Sequence, residues 1–144
     1  MSATPKTAKR PRSKLRVQRA ALGAPSPRAL LRFARAATPK GSSVTLRVVG
    51  VAEGRRLNFA FRGRDYATNV LSFSYGRNHG DIVLCHPVIA REARAQGKEL
   101  AAHYAHLVVH GMLHLRGRRH GKSMEGTEIR ILRRLGYADP YTVK

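Results

Sequence analysis

The sequence predicts an α+β domain built from one small sheet and several helices. Three observations carry this. Short β-branched runs alternate in polarity, longer stretches repeat apolar residues every three or four positions, and no internal repeat is present. At 144 residues the chain fits one domain with a real core and little room for a second.

Residues 1–13 mix Pro, Ser, Thr, Lys and Arg with almost nothing to bury, the composition of a disordered basic tail. Residues 14–144 then form the domain. Leu15–Ala20 predicts a short strand. Pro25–Ala37 predicts a helix with Leu30, Leu31, Phe33 and Ala34 on its apolar side; Ser26 before Pro27 suits its start. Ser43–Gly50 alternates and is β-branched, so it reads as a strand. Residues 51–60, with Leu57 and Phe61 at helical spacing, predict a short helix closed by Gly63. Asn69–Tyr75 and Asp81–Cys85 read as two strands joined by a Gly/Asn loop, a hairpin. From Pro87 to Leu115 the pattern is helical, with Gly97 a break point, and a last helix covers Ser123–Leu135 up to Gly136.

Composition narrows the function classes. One cysteine, Cys85, excludes a disulfide framework or a cysteine-based zinc site within the chain. No apolar run approaches the roughly 18 residues that span a bilayer. No apolar segment of export-signal type stands near the N-terminus, so a cytoplasmic location is expected, organellar targeting by the basic N-terminus being the minor alternative. Twenty-eight Lys and Arg against eight Asp and Glu give a net charge of +20, and residues 1–52 hold 12 basic residues and no acidic one. Such an excess predicts attraction to a polyanion, RNA or DNA first.

The chemistry-bearing stretch is His110–His120, HGMLHLRGRRH. His103, His106, His110 and His114 are spaced three, four and four apart, so at 100° per residue they fall within about 80° of one another on a helix. His106 and His114 would stand about 12 Å apart along the axis. Zn–N bonds of about 2.0–2.1 Å do not bridge that distance. His110 and His114 can share one ion, and His120, after a turn at Gly117, is the natural third ligand. Three neutral imidazoles leave a fourth position open, the layout of a catalytic zinc site. His106 is then a neighbouring or substrate-side group and His103 is expected near the surface, while Leu107, Met112 and Leu113 pack into the core. Helix-borne zinc proteases place Glu after the first His; here that position is Gly111, which removes the peptidase's general base.

The run His110–His120 resembles the H-G-x-L-H-L-x-G-x-D-H signature of the YbeY family of bacterial rRNA-maturation endoribonucleases. Leu57-Asn58, Phe61–Asp65 and Ala67–Phe73 resemble that family's central block, and Gly80–Val83 its next strand. Glu92-Ala93, His103–Val109, Met124-Glu125, Glu128, Leu135–Tyr137 and Pro140-Tyr141 also fall in family order, so the likeness covers about residues 44–141.

The resemblance implies a zincin-like α+β fold, with a small four-stranded mixed sheet packed with helices around a central metal-bearing helix. It implies a zinc-dependent, single-strand-specific endoribonuclease acting in 16S rRNA 3′-end maturation and ribosome quality control. One Zn²⁺ per chain would be held by His110, His114 and His120. Arg62 matches the family's arginine near the metal and would meet RNA phosphate, so Arg62 and His114 are the expected catalytic residues. The implied partners are the 16S rRNA precursor and the small ribosomal subunit, with ribosomal proteins and an assembly GTPase, and with neither DNA preference nor membrane. Asp81, Glu125 and Glu128 are the remaining carboxylates for a general base, each with a structural role in view. The alternatives are a non-catalytic ribosome-assembly factor with a structural metal site and, behind it, a zinc peptidase. The chain departs from the family at Arg118-Arg119, which replace Tyr-Asp. That change removes a carboxylate that would orient His120 and adds cations suited to a phosphate substrate.

Overall fold

In the computed structural model, which describes residues 13–142, nine elements follow in the order β1 (Lys14–Arg19), α1 (Pro27–Ala36), β2 (Ser43–Val49), α2 (Val51–Arg62), β3 (Val70–Gly76), β4 (His79–Cys85), α3 (His86–Gln96), α4 (Leu100–Leu115) and α5 (Lys122–Leu135). The four strands make one mixed sheet in the order β1-β2-β4-β3. The β1–β2 and β2–β4 pairs are parallel, and β3 closes on β4 as an antiparallel hairpin, which leaves β3 at the edge. The expected tail over residues 1–13 lies outside the described residues except for Ser13, whose hydroxyl donates to the Pro39 carbonyl at 3.1 Å.

Local chemistry explains the boundaries. The Ser26 side chain accepts from the Ala29 N–H at 3.1 Å and Pro27 takes the first helical position, so α1 starts where the sequence indicates. Gly97, at φ +65°, ends α3 in the left-handed conformation. The helical stretch expected from Pro87 to Leu115 is thereby cut into two helices that pack against each other. The hairpin turns over Arg77-Asn78, with Asn78 at φ +58°, and a bulge at Tyr75 shifts the register between Ser74 and Gly76.

Alternation along the strands sorts side chains into two layers. Val44, Leu46 and Val48 of β2, with Ile82 and Leu84 of β4, face α1, α4 and α5 in the main core. Val49, Leu71, Val83 and Cys85 face the other way, joining Val88 of α3 and Leu57 of α2 in a smaller cluster. Helix α4 is the central element, with ten of its sixteen residues buried, including Leu107, Met112 and Leu113 as expected. Each such aliphatic side chain contributes about 1.5–3 kcal/mol through burial.

Gly111 lets α4 approach the sheet. A Cβ built there would stand 3.1 Å from both Ile82 Cδ1 and Ser72 Oγ, tighter than ordinary packing. The position that carries a catalytic Glu in zinc proteases is therefore pressed onto the sheet in this chain, and it faces no pocket.

Candidate metal centre

His110 and His114 stand one turn apart at the end of α4, ring centroids 4.6 Å apart and Nε2 atoms 3.1 Å apart. The helix stops at Leu115, and Gly117, at φ +83°, reverses the chain. His120 returns with its ring 4.9 Å from that of His110 and 4.4 Å from that of His114. One ligand nitrogen from each of the three lies within 4.8 Å of the others. The ligand–ligand edge of a tetrahedral zinc with Zn–N near 2.0–2.1 Å is about 3.3 Å. The His110–His114 pair already stands at that spacing, and the donor set of three imidazoles suits a borderline divalent cation.

Behind this trio lies Glu128 of α5, fully buried and bonded to two partners, with a third beside it. Its carboxylate accepts from His110 Nδ1 and from the Tyr141 hydroxyl, while His106 Nε2 stands 3.6 Å away and donates to the same hydroxyl at 3.2 Å. Burial alone would raise the pKa of Glu128. His106 beside it and the hydrogen bonds from His110 and Tyr141 overcome that and hold it at about 2. An ionised carboxylate on Nδ1 fixes the proton there and leaves His110 Nε2 with its lone pair outward, the arrangement that orients and strengthens a metal-binding imidazole. His114 is held below its ordinary pKa by burial first, then by His110 and His120, which favours the neutral ring a cation needs.

A second group, His106, His110 and Glu128, also lies within 4.8 Å. There the His110 Nδ1 and both carboxylate oxygens are already used in hydrogen bonds, so this group serves as the support of the first. His103, expected near the surface, is instead 4% exposed. Because α3 packs along the first half of α4, His103 Nε2 meets Glu92 at 2.8 Å, and burial pushes the pKa of His103 down despite that carboxylate.

The three histidines open onto a pocket of about 410 Å³ whose other wall carries Arg62, Thr68, Asn69 and Ser72. Arg62 ends α2 just before the left-handed Gly63. Asn69 is fixed from both ends of its amide: Nδ2 donates to Glu92 Oε1 at 3.0 Å and Oδ1 accepts from Val70 N–H at 2.6 Å. Among the described residues no carboxylate lines this pocket. Asp81 instead accepts from the Tyr75 hydroxyl at 2.7 Å, and Glu125 sits exposed on α5. Arg118 donates to Ser123 Oγ at 3.0 Å and Thr127 Oγ1 at 3.2 Å, tying the turn to α5.

Two groups escaped the sequence reading in this role. Glu128, weighed there as a base or a structural residue, is the carboxylate that orients His110. Its signal was present: it shares one stripe with Met124, Ile131 and Leu132, and a charge on an apolar stripe calls for a buried partner. The Asn69–Glu92–His103 chain links the loop before β3 to α3 and α4, and no spacing in the sequence marks it.

A family model described as Endoribonuclease YbeY matches residues 15–136. Curated proteins called Endoribonuclease YbeY are similar: that of Aromatoleum aromaticum is 51% identical over 98% of this chain and 99% of its own length, and that of Bordetella pertussis 57% over 70% and 71%. The relative from Azoarcus sp. is 49% identical over 95% of this chain, which spans 63% of that longer protein. Among solved structures, TM1509 from Thermotoga maritima has the same fold, with a TM-score of 0.60 and 24% identity over 88% of this chain and 99% of that one.

Proposed function

The chain belongs to the endoribonuclease YbeY family, and on that premise we propose that it is a zinc-dependent endoribonuclease whose ion is held by His110, His114 and His120. The observation that carries this reading is the convergence of three imidazole nitrogens and one arginine on a single pocket free of carboxylates. Zinc bound there supplies a Lewis acid toward a phosphodiester. The rest of the chemistry falls to the chain. Glu128 keeps the proton on His110 Nδ1. Arg62 binds the non-bridging phosphate oxygens and offsets the charge that builds up as the phosphorus gains a fifth ligand. Thr68, Ser72 and the fixed Asn69 offer hydroxyl and amide groups to the sugar–phosphate backbone.

The pocket weighs against a peptidase, since Gly111 faces the sheet and the wall offers no carboxylate as base. It weighs less against the assembly-factor reading, which differs only in whether cleavage occurs. The zincin-like description fits the central helix carrying two of the ligands beside a mixed sheet. Family membership and the +20 charge support single-stranded RNA as substrate. They further support the 3′ region of 16S rRNA on the small ribosomal subunit, ribosomal proteins and an assembly GTPase as companions, and a cytoplasmic bacterial setting. No helix among the described residues is long and apolar enough to cross a membrane. Residues 14–144 act as the one catalytic unit in this reading.

The experiment is a metal count and an RNA-cleavage assay on the purified full chain. One equivalent of zinc lost in His114→Ala, and cleavage lost in Arg62→Glu with zinc retained, are the expected results. A wild-type chain that binds no zinc overturns the metal assignment. A zinc-loaded chain that leaves single-stranded RNA intact moves the reading to the assembly factor.

A further inference from the structure

A second groove, of about 440 Å³, lies against the edge strand β3, on the sheet face opposite α4, and is lined by Phe61, Arg62, Leu71, Phe73 and Tyr75. It shares Arg62 and Ser72 with the metal pocket, so the two depressions meet around the strand edge. Phe61 is 66% exposed and Tyr75 61% exposed, although core packing normally claims such side chains. The ring centroids of Phe61 and Phe73 are 4.8 Å apart with planes tilted 57°, so one ring props the other. The β-bulge falls at Tyr75, and the Tyr75 hydroxyl is anchored on Asp81 at 2.7 Å, which fixes where that ring stands.

We propose that this groove is a base-stacking subsite, in which Phe61 and Tyr75 hold an unpaired base next to the phosphate bound by Arg62. The inference rests on the metal pocket being an RNA-cleaving site and adds how its substrate is gripped. Aromatic rings accept the face of any base, so the subsite is tolerant of sequence. A base inside a duplex is already stacked on its neighbours, so the subsite selects single strands. An exposed edge strand beside apolar side chains could also receive a peptide strand. The charge decides between them: among the described residues Arg62 lines the groove and no carboxylate does, in a chain of net charge +20.

The test uses the zinc-loaded full chain and a short single-stranded RNA carrying 2-aminopurine, whose fluorescence is quenched when it stacks. Phe61→Ala and Tyr75→Ala are each expected to weaken binding about tenfold and to lose quenching, with zinc stoichiometry and the far-UV spectrum unchanged. Phe61→Tyr, which keeps the ring, is expected to stay within about twofold of wild type, and Tyr75→Phe, which keeps the ring but loses its anchor on Asp81, to bind RNA more tightly than Tyr75→Ala. Wild-type cleavage together with alanine variants that bind RNA normally overturns the subsite and leaves the proposed function standing. A wild type that neither binds nor cleaves RNA overturns both. Alanine variants that bind RNA normally yet no longer co-sediment with small ribosomal subunits assign the groove to a protein partner and overturn the stacking role.

Discussion

Replacing Glu128 by Gln changes one buried charge and almost no volume. In the wild type the carboxylate accepts from His110 Nδ1 and the Tyr141 hydroxyl and lies 3.6 Å from His106 Nε2. The amide keeps one acceptor for His110, and its NH₂ group must face Tyr141, whose hydroxyl then turns from donor to acceptor. The geometry can survive; the charge assistance cannot. A hydrogen bond to a charged group contributes about 1.5–3 kcal/mol against about 0.5–1.5 for a neutral pair, so the bond on His110 weakens by about 1–1.5 kcal/mol. His110 becomes a poorer ligand by that amount, about a tenfold loss of zinc affinity at 1.4 kcal/mol per factor of ten, at the lower end of what loss of such a partner causes. Competition against a chromophoric chelator measures it, with thermal unfolding of the metal-free protein as control for the fold. Zinc affinity within twofold of wild type in a folded Glu128→Gln protein would refute the role given to this carboxylate.

Tyr141→Phe removes one donor to the same carboxylate and should lower zinc affinity by a smaller factor, about threefold, in the same competition assay; an effect larger than that of Glu128→Gln would reverse the order of the two residues. Gly111→Ala gains about 1 kcal/mol of helix propensity but pushes a methyl group against Ile82 and Ser72, an overpacking cost of about 1–3 kcal/mol, so Tm should fall by a few degrees. A rise in Tm would show that Ile82 yields freely. His86 is held below its ordinary pKa by burial, with Nδ1 2.7 Å from the Tyr104 hydroxyl. The unfolded chain takes up that proton near pH 6.5 and the folded chain only at lower pH. The contribution is therefore complete above about pH 6.5 and is lost as pH falls through the folded value, at up to about 1.4 kcal/mol per pH unit. Thermal scans from about pH 5 to 6.5 should be less steep in pH for His86→Gln, and equal slopes would remove His86 from the account.

Much of the architecture was legible because it is local. Ser26-Pro27, Gly63, Gly97 and Gly136 mark helix ends through backbone conformations that act within a turn. The β-branched alternation of Ser43–Val49 marks a strand between two apolar layers. The three-histidine cluster was legible for the same reason, since a helical period and one glycine reversal place His110, His114 and His120 together. The burial of His103 was not legible because it depends on α3 folding back along α4, and a break at Gly97 does not say in which direction the second helix leaves.

The sequence by itself determined the charge that suits a polyanion, a sum that folding does not change, and it determined most of the elements and the cluster of three imidazoles, since each of those depends on residues within about ten positions of one another. Tertiary structure alone decided what surrounds that cluster. It set Glu128 behind His110, pressed Gly111 onto Ile82, brought Arg62 from another helix to the pocket wall and left Phe61 and Tyr75 uncovered beside it. The physical reason is that a carboxylate, a cation and an aromatic ring act over a few ångströms of space, whatever the number of residues between them. Those distances are set by how helices pack on a sheet that has β3 at one edge.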